Sequence, residues 1–180
     1  MKGFVRNNLL LSLCGLNCGL CTMHLGGYCP GCGGGEGNQS CAIARCAMGR
    51  EGVAYCTQCA EYPCARYERE EEYDSFITHK NRRADLERHR LDPEGCRREQ
   101  EEKVELLRFL LDTCNDGRRK RLFATGVNLL DLETLRAIRV RLDAETSLSL
   151  KERAALAAAE LQKAAEAAGI TLQLRRKPKK

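Results

Sequence analysis

Ten of the chain's twelve cysteines stand between Cys14 and Cys64, and no other feature limits its fold so strictly. Read from Cys14, the spacing is C-x3-C-x2-C-x7-C-x2-C-x8-C-x4-C-x9-C-x2-C-x4-C. Three of its steps are C-x2-C: Cys18/Cys21, Cys29/Cys32 and Cys56/Cys59. That spacing lets two thiolates meet one tetrahedral ion at about 2.3 Å. Gly31 and Gly33–Gly35 supply the positive-φ positions such a turn needs, and Pro30 stiffens it. A single pair would fit a thioredoxin-like redox motif equally well, whereas three pairs with four more cysteines point to metal. The candidate ligands are Cys14, Cys18, Cys21, Cys29, Cys32, Cys41, Cys46, Cys56, Cys59 and Cys64.

The alternative use of so many thiols is a disulfide framework, which belongs to exported proteins. The start of the chain argues against export. Lys2 and Arg6 would serve as a basic n-region, but the apolar run Leu9–Leu13 is shorter than the roughly 7–15 residues of a signal core. A lipoprotein signal calls for a small residue before the acylated cysteine, and Leu13 precedes Cys14. No stretch approaches the about 18 apolar residues of a membrane span. The expectation is a cytoplasmic protein without membrane association, in a compartment where a dense cysteine cluster holds metal. Stability points the same way. Residues 1–64 contain no Trp and bury little apolar surface, whereas one structural zinc supplies about 10–16 kcal/mol of coupled folding free energy.

All-thiolate tetrahedral sites suit zinc and iron–sulfur clusters alike. Zinc is the first expectation, since ten thiols fill two four-ligand sites with two to spare. A [4Fe-4S] cluster is the alternative, because three cysteines at x3 and x2 spacing in CGLNCGLC can wrap one corner-sharing cube. The same triad marks radical S-adenosylmethionine enzymes, but their α/β barrel is missing: more cysteines follow here, not βα units. One division of the thiols groups Cys29, Cys32, Cys41 and Cys46, leaving the N-terminal triad to share an ion with Cys56, Cys59 or Cys64. His24 reads as a neighbouring imidazole rather than a ligand, His79 and His89 as solvated, and Cys96 and Cys114 as ordinary thiols, with Cys114 on an apolar helix face.

Beyond Cys64 the composition changes. Residues 1–64 hold 12 of the 16 glycines, with Lys+Arg 4 and Asp+Glu 3, leaving 26 and 22 for residues 65–180. The expected fold is therefore a small cysteine-rich, metal-stabilised module of knuckle turns and short helices, followed by a mainly α-helical region. The expected segments are a metal-binding module over 1–64, a helical region packed on it over 65–143, a C-terminal helix with an edge strand over 144–174, and a basic tail over 175–180. A short helix over AIARCAM ends at Gly49. YEREEEYDSFITH, from Tyr67 to His79, and then RRADLERHRL read as helix, broken at Asp92-Pro93-Glu94-Gly95. Val104, Leu107, Leu111 and Cys114 form one stripe, and Asn115-Asp116-Gly117 ends it. Asp131 is a good N-cap for the helix carrying Leu135, Ile138 and Leu142. Ser149 and Glu152 form a capping box, Gly169 closes the helix it opens, and ITLQL alternates like an edge strand.

The succession CGLNCGLC, CPGC and CAIARCAMGREGVAYCTQCAEYPC resembles a cysteine-rich bacterial and archaeal family, the domain of unknown function 3795. The later NDGRRKRLFATGVNLLDLETL is similar to a stretch in some of its members, so the likeness runs over about residues 12–140. The resemblance implies a metal-binding role with no established reaction, and the family's frequency in anaerobes raises the iron–sulfur option.

No phosphate loop, HExxH motif or nucleophile elbow is present, so the chain reads as a binding or interaction protein with a protein partner rather than an enzyme. Nucleic acid is a second partner class, suggested by zinc knuckles and RRKPKK. That tail carries five positive charges, the whole of the net +5, and reads first as a solvated end. A thiol-disulfide oxidoreductase is a further class and needs one exposed, reactive pair.

Overall fold

The computed structural model describes residues 2–36, 41–69 and 72–177. It is predominantly helical, with eight α-helices, two short 3-10 turns and, among the described residues, no strand beyond an isolated bridge between Val5 and Gly34. The chain sorts into two units, residues 1–100 joined by 174–180, and residues 101–173.

The first unit is built from short pieces. A 3-10 turn at Cys18–Leu20 leads into α1 (Thr22–Leu25), and α2 (Ala42–Met48) ends at Gly49 as its sequence predicts. A second 3-10 turn, Cys56–Gln58, precedes α3 (Ala65–Arg69) and α4 (Arg82–Leu91). Leu11, Leu13, Cys14, Ile43, Ala44, Ala47, Tyr55, Tyr67 and Leu86 form one buried cluster, with Cys32, Cys56 and Cys64 packed against it. Tyr67 and Leu86 lie beyond Cys64, so the core of this unit draws on residues past the compositional shift. Tyr67 also donates its hydroxyl to the Cys14 carbonyl at 3.0 Å. A buried polar chain fixes the cysteine segment further: Asn17 Nδ2 donates to Asp85 Oδ2 at 2.7 Å, and Gln100 Nε2 donates to Asn17 Oδ1 at 2.6 Å.

Two expectations fail here for a shared reason. The helix predicted over Tyr67–His79 stops at Arg69, residues 70 and 71 lie outside the described residues, and 72–81 are not helical. His79, expected in solvent, is buried. Both follow from Asp74, whose side chain is fully buried and accepts from the His79 N–H at 2.8 Å and from the Arg175 N–H and guanidinium at 2.8 Å each. That turn competes with helix for the same backbone donors. Arg175 is accordingly not a solvated tail residue, while 178–180 lie outside the described residues. His89, also expected in solvent, is half-buried and tilted against Tyr55 with centroids 4.0 Å apart. Burial and Arg6 push the His89 imidazole below its usual pKa.

Burial opposes ionisation of Asp74, yet the Arg175 guanidinium and the two N–H donors outweigh it and hold the carboxyl below the usual carboxylate range. A native pKa depressed below the unfolded value adds stability that is whole above about pH 4 and fades as acid titrates the folded carboxylate. The unfolding midpoint of Asp74→Asn is therefore expected to lie below wild type at neutral pH and to converge with it as pH falls below about 4. A constant gap across that range would show that the charge is immaterial.

The second unit is a helical bundle. Asp92 accepts the Gly95 N–H at 2.8 Å, so α5 (Pro93–Thr113) starts with proline in its first turn, where proline lacks no needed donor. From Glu101 onward α5 belongs to this unit. Val104, Leu107 and Cys114 of the predicted stripe are buried, together with Leu106 and Leu110. Then follow α6 (Lys120–Leu129), α7 (Leu132–Ala144) and α8 (Leu150–Ala167), with α8 packed on α6 and α7. Asp131 caps α7 by accepting the Thr134 N–H at 2.8 Å. Ser149 and Glu152 form the expected capping box. At the far end the Gly169 N–H bonds to Glu166 and the Ile170 N–H to Ala165, the Schellman arrangement made available by φ +66° at Gly169. Ile170–Leu174, whose alternation predicts an edge strand, forms no ladder. Ser149→Ala is expected to cost about 1 kcal/mol by urea denaturation, since it removes the hydroxyl that accepts the Glu152 N–H while the Ser149 N–H keeps its bond to the Glu152 carboxylate.

Candidate metal centres

None of the twelve cysteines is in a disulfide. The ten between 14 and 64 line two cavities of the first unit. The narrow one, about 40 Å³, is lined by Cys46, Cys56, Cys59 and Cys64 and walled by Leu13, Ile43, Val53 and Tyr67. The wide one, about 420 Å³, is lined by Cys14, Cys18, Cys21, Cys29, Cys32 and Cys41. Each group follows from local structure. In the narrow cavity, α2 presents Cys46, the 3-10 turn presents Cys56 with Cys59 at its C-cap, and Cys64 directly precedes α3. In the wide one, the turn at Cys18–Leu20 carries Cys18 and ends at Cys21, whereas Cys41 caps α2 from outside.

This grouping differs from the sequence-based division. Cys46 sits with Cys56, Cys59 and Cys64, not with Cys29, Cys32 and Cys41, because the helical turns of α2 separate Cys41 at its N-cap from Cys46 inside it. The N-terminal triad sits with Cys29, Cys32 and Cys41. The CPGC turn is held from behind: Gly33 has φ +87°, and a Cβ there would come within 2.6 Å of Arg6 Cγ. Arg6 in turn donates to the Leu11 carbonyl at 2.7 Å.

Electrostatics bear on the same groups. Burial pushes the Cys56 thiol up to about 12, with the nearby Cys14 thiol adding to it. Burial likewise raises Cys14 against a lowering hydrogen bond from Ser12, whose Oγ lies 3.2 Å from the sulfur. Cys18 is raised by burial and then by Cys32, and Cys32 by burial despite the opposing backbone bond from Leu13 and charge of Arg6. Without a cation these four thiols hold their protons, and a bound divalent ion reverses that preference. Arg50 faces the narrow cavity, donating to Cys59 Sγ at 3.1 Å and to Glu61 Oε1 at 2.8 Å. Its positive charge, paired with Glu61, stands beside the Cys59 sulfur. Residues 1–64 contain only four basic side chains, so finding Arg6 at the CPGC turn and Arg50 at the quartet is a signal that the sequence already held.

In type and number, the thiols of each cavity suit a thiophilic ion. Among the described residues no three Cys, His, Asp or Glu side chains already converge as a coordination group, so an ion would have to draw the thiols inward. His24 lines the wide cavity, but its Nδ1 lies 2.8 Å from the Cys29 carbonyl, a hydrogen bond that orients the ring. Cys96 and Cys114 are buried and line neither cavity. Among the described residues no helix is long and apolar enough to cross a membrane. Comparison with known families, with curated proteins and with solved structures finds no match to this chain.

Proposed function

We propose that this chain is a metal-binding protein whose cysteine-only sites hold zinc in a structural role, shaping the first unit for an interaction or regulatory task with a protein partner. One observation carries the reading: four free thiols, Cys46, Cys56, Cys59 and Cys64, line a single small cavity with apolar walls. Four thiolates around zinc close its coordination sphere, which stabilises a fold and leaves no position for substrate. The bound ion supplies cohesion that short helices and turns lack, and the protein supplies the matching cage.

A second reading has its own support. The wide cavity gathers the Cys14/Cys18/Cys21 triad in a volume about ten times that of the narrow one, which suits an iron–sulfur cluster for electron transfer or redox sensing. Metal and acid-labile sulfide analysis of protein purified without air decides between them. Colourless protein with stoichiometric zinc is the expected result, and Cys59→Ser is expected to lose one equivalent of it. Brown protein containing iron and sulfide would replace zinc with the cluster, and metal-free folded protein would remove both readings.

A further inference from the structure

The two cavities differ in both thiol count and size. Four thiols around about 40 Å³ match one tetrahedral ion, whereas six around about 420 Å³ do not. A single ion in the wide cavity would leave two sulfurs idle, and two separate ions would require eight. Six thiolates satisfy two tetrahedral ions when two of the sulfurs are shared. Four terminal sulfurs then make one bond each and two bridging sulfurs make two, which gives four bonds to each ion. All six thiols line the one cavity, none of them in a disulfide. Cys29 and Cys32 are joined by the stiff Pro30-Gly31 turn, with φ +85° at Gly31.

From thiol count and cavity volume we infer that the wide cavity is a binuclear thiolate centre. It takes two filled-shell divalent ions such as zinc or cadmium, bridged by shared cysteine sulfur, so that the chain carries three ions in two chemically different centres. The inference rests on the metal-binding reading above and specifies it.

The test uses the full chain, purified without air and loaded with an NMR-active cadmium isotope. The expected result is three bound ions per chain and three cadmium resonances, two of them scalar-coupled to each other through shared sulfur and the third isolated. Cys59→Ser is expected to remove the isolated resonance and keep the coupled pair, and Cys41→Ser to abolish the coupling while keeping the isolated signal. Two uncoupled resonances, one ion per cavity, would overturn the binuclear centre and leave metal binding intact. Iron with acid-labile sulfide in the purified protein would overturn it in favour of a cluster. No bound metal would overturn this inference and the reading beneath it together. Should either variant fail to fold, the coupling in the wild-type spectrum decides alone.

Discussion

On the metal-binding reading proposed above, treatment with a strong chelator is expected to unfold residues 1–100 while residues 101–173 stay helical. The expected size is large, because each structural zinc contributes about 10–16 kcal/mol of coupled folding free energy, more than the whole stability of many domains. The first unit has little to put in its place: its helices before α5 run from four to ten residues, and four of the side chains in or against its core are themselves the proposed ligand cysteines, Cys14, Cys32, Cys56 and Cys64. The second unit keeps an apolar core of its own, including Leu107, Phe123, Val127, Leu142 and Leu161, all with zero exposure. Residue-resolved hydrogen exchange measures both outcomes in one sample. Chelated protein that keeps slow exchange at Ile43, Ala47 and Leu86 would show that the ions are not what holds this unit together.

Gly15→Ala is expected to destabilise the first unit by about 3 kcal/mol or more. Two effects add at this position. Gly15 has φ +91°, where an L side chain costs about 1–2 kcal/mol. A Cβ would also collide with the carbonyl of Arg82 and stand 2.7 Å from Leu86 Cγ. The first is backbone in the opening turn of α4 and the second is fully buried, so neither can retreat without moving the helix off the core. Overpacking of that kind adds about 1–3 kcal/mol. The midpoint of urea unfolding, followed by exchange at Leu86 and Tyr67, reports the change, and a loss below about 1 kcal/mol would mean that α4 yields freely.

Much of the second unit could be read from local chemistry. Asp131, Ser149 and Gly169 mark their helix ends because a cap is a contest among neighbouring backbone groups, decided within four residues. The stripe of α5 follows from periodicity. The first unit was harder to read. That cysteines dominate it is plain, but which sulfurs share a cavity depends on where α2 and the turn at Cys56–Gln58 place them, and C-x2-C spacing alone leaves that open. The stretch after Arg69 is not legible from composition, because its acidic, helix-favouring residues include Asp74, whose partner lies 101 positions along the chain. Propensity yields to such a contact once the carboxylate is buried.

The clasp between Asp74 and Arg175 has a consequence for biosynthesis. Residues 101–173 are an insertion into the first unit, and 73 residues must be translated before its closing segment exists. At about 5–20 residues per second, the 101 positions from Asp74 to Arg175 take roughly 5–20 s to translate. During that interval the thiol-bearing segment is on its own, and the inserted helices complete their synthesis first. The cysteine-lined turns thus emerge while the clasp that secures the Asp74 turn is still unmade.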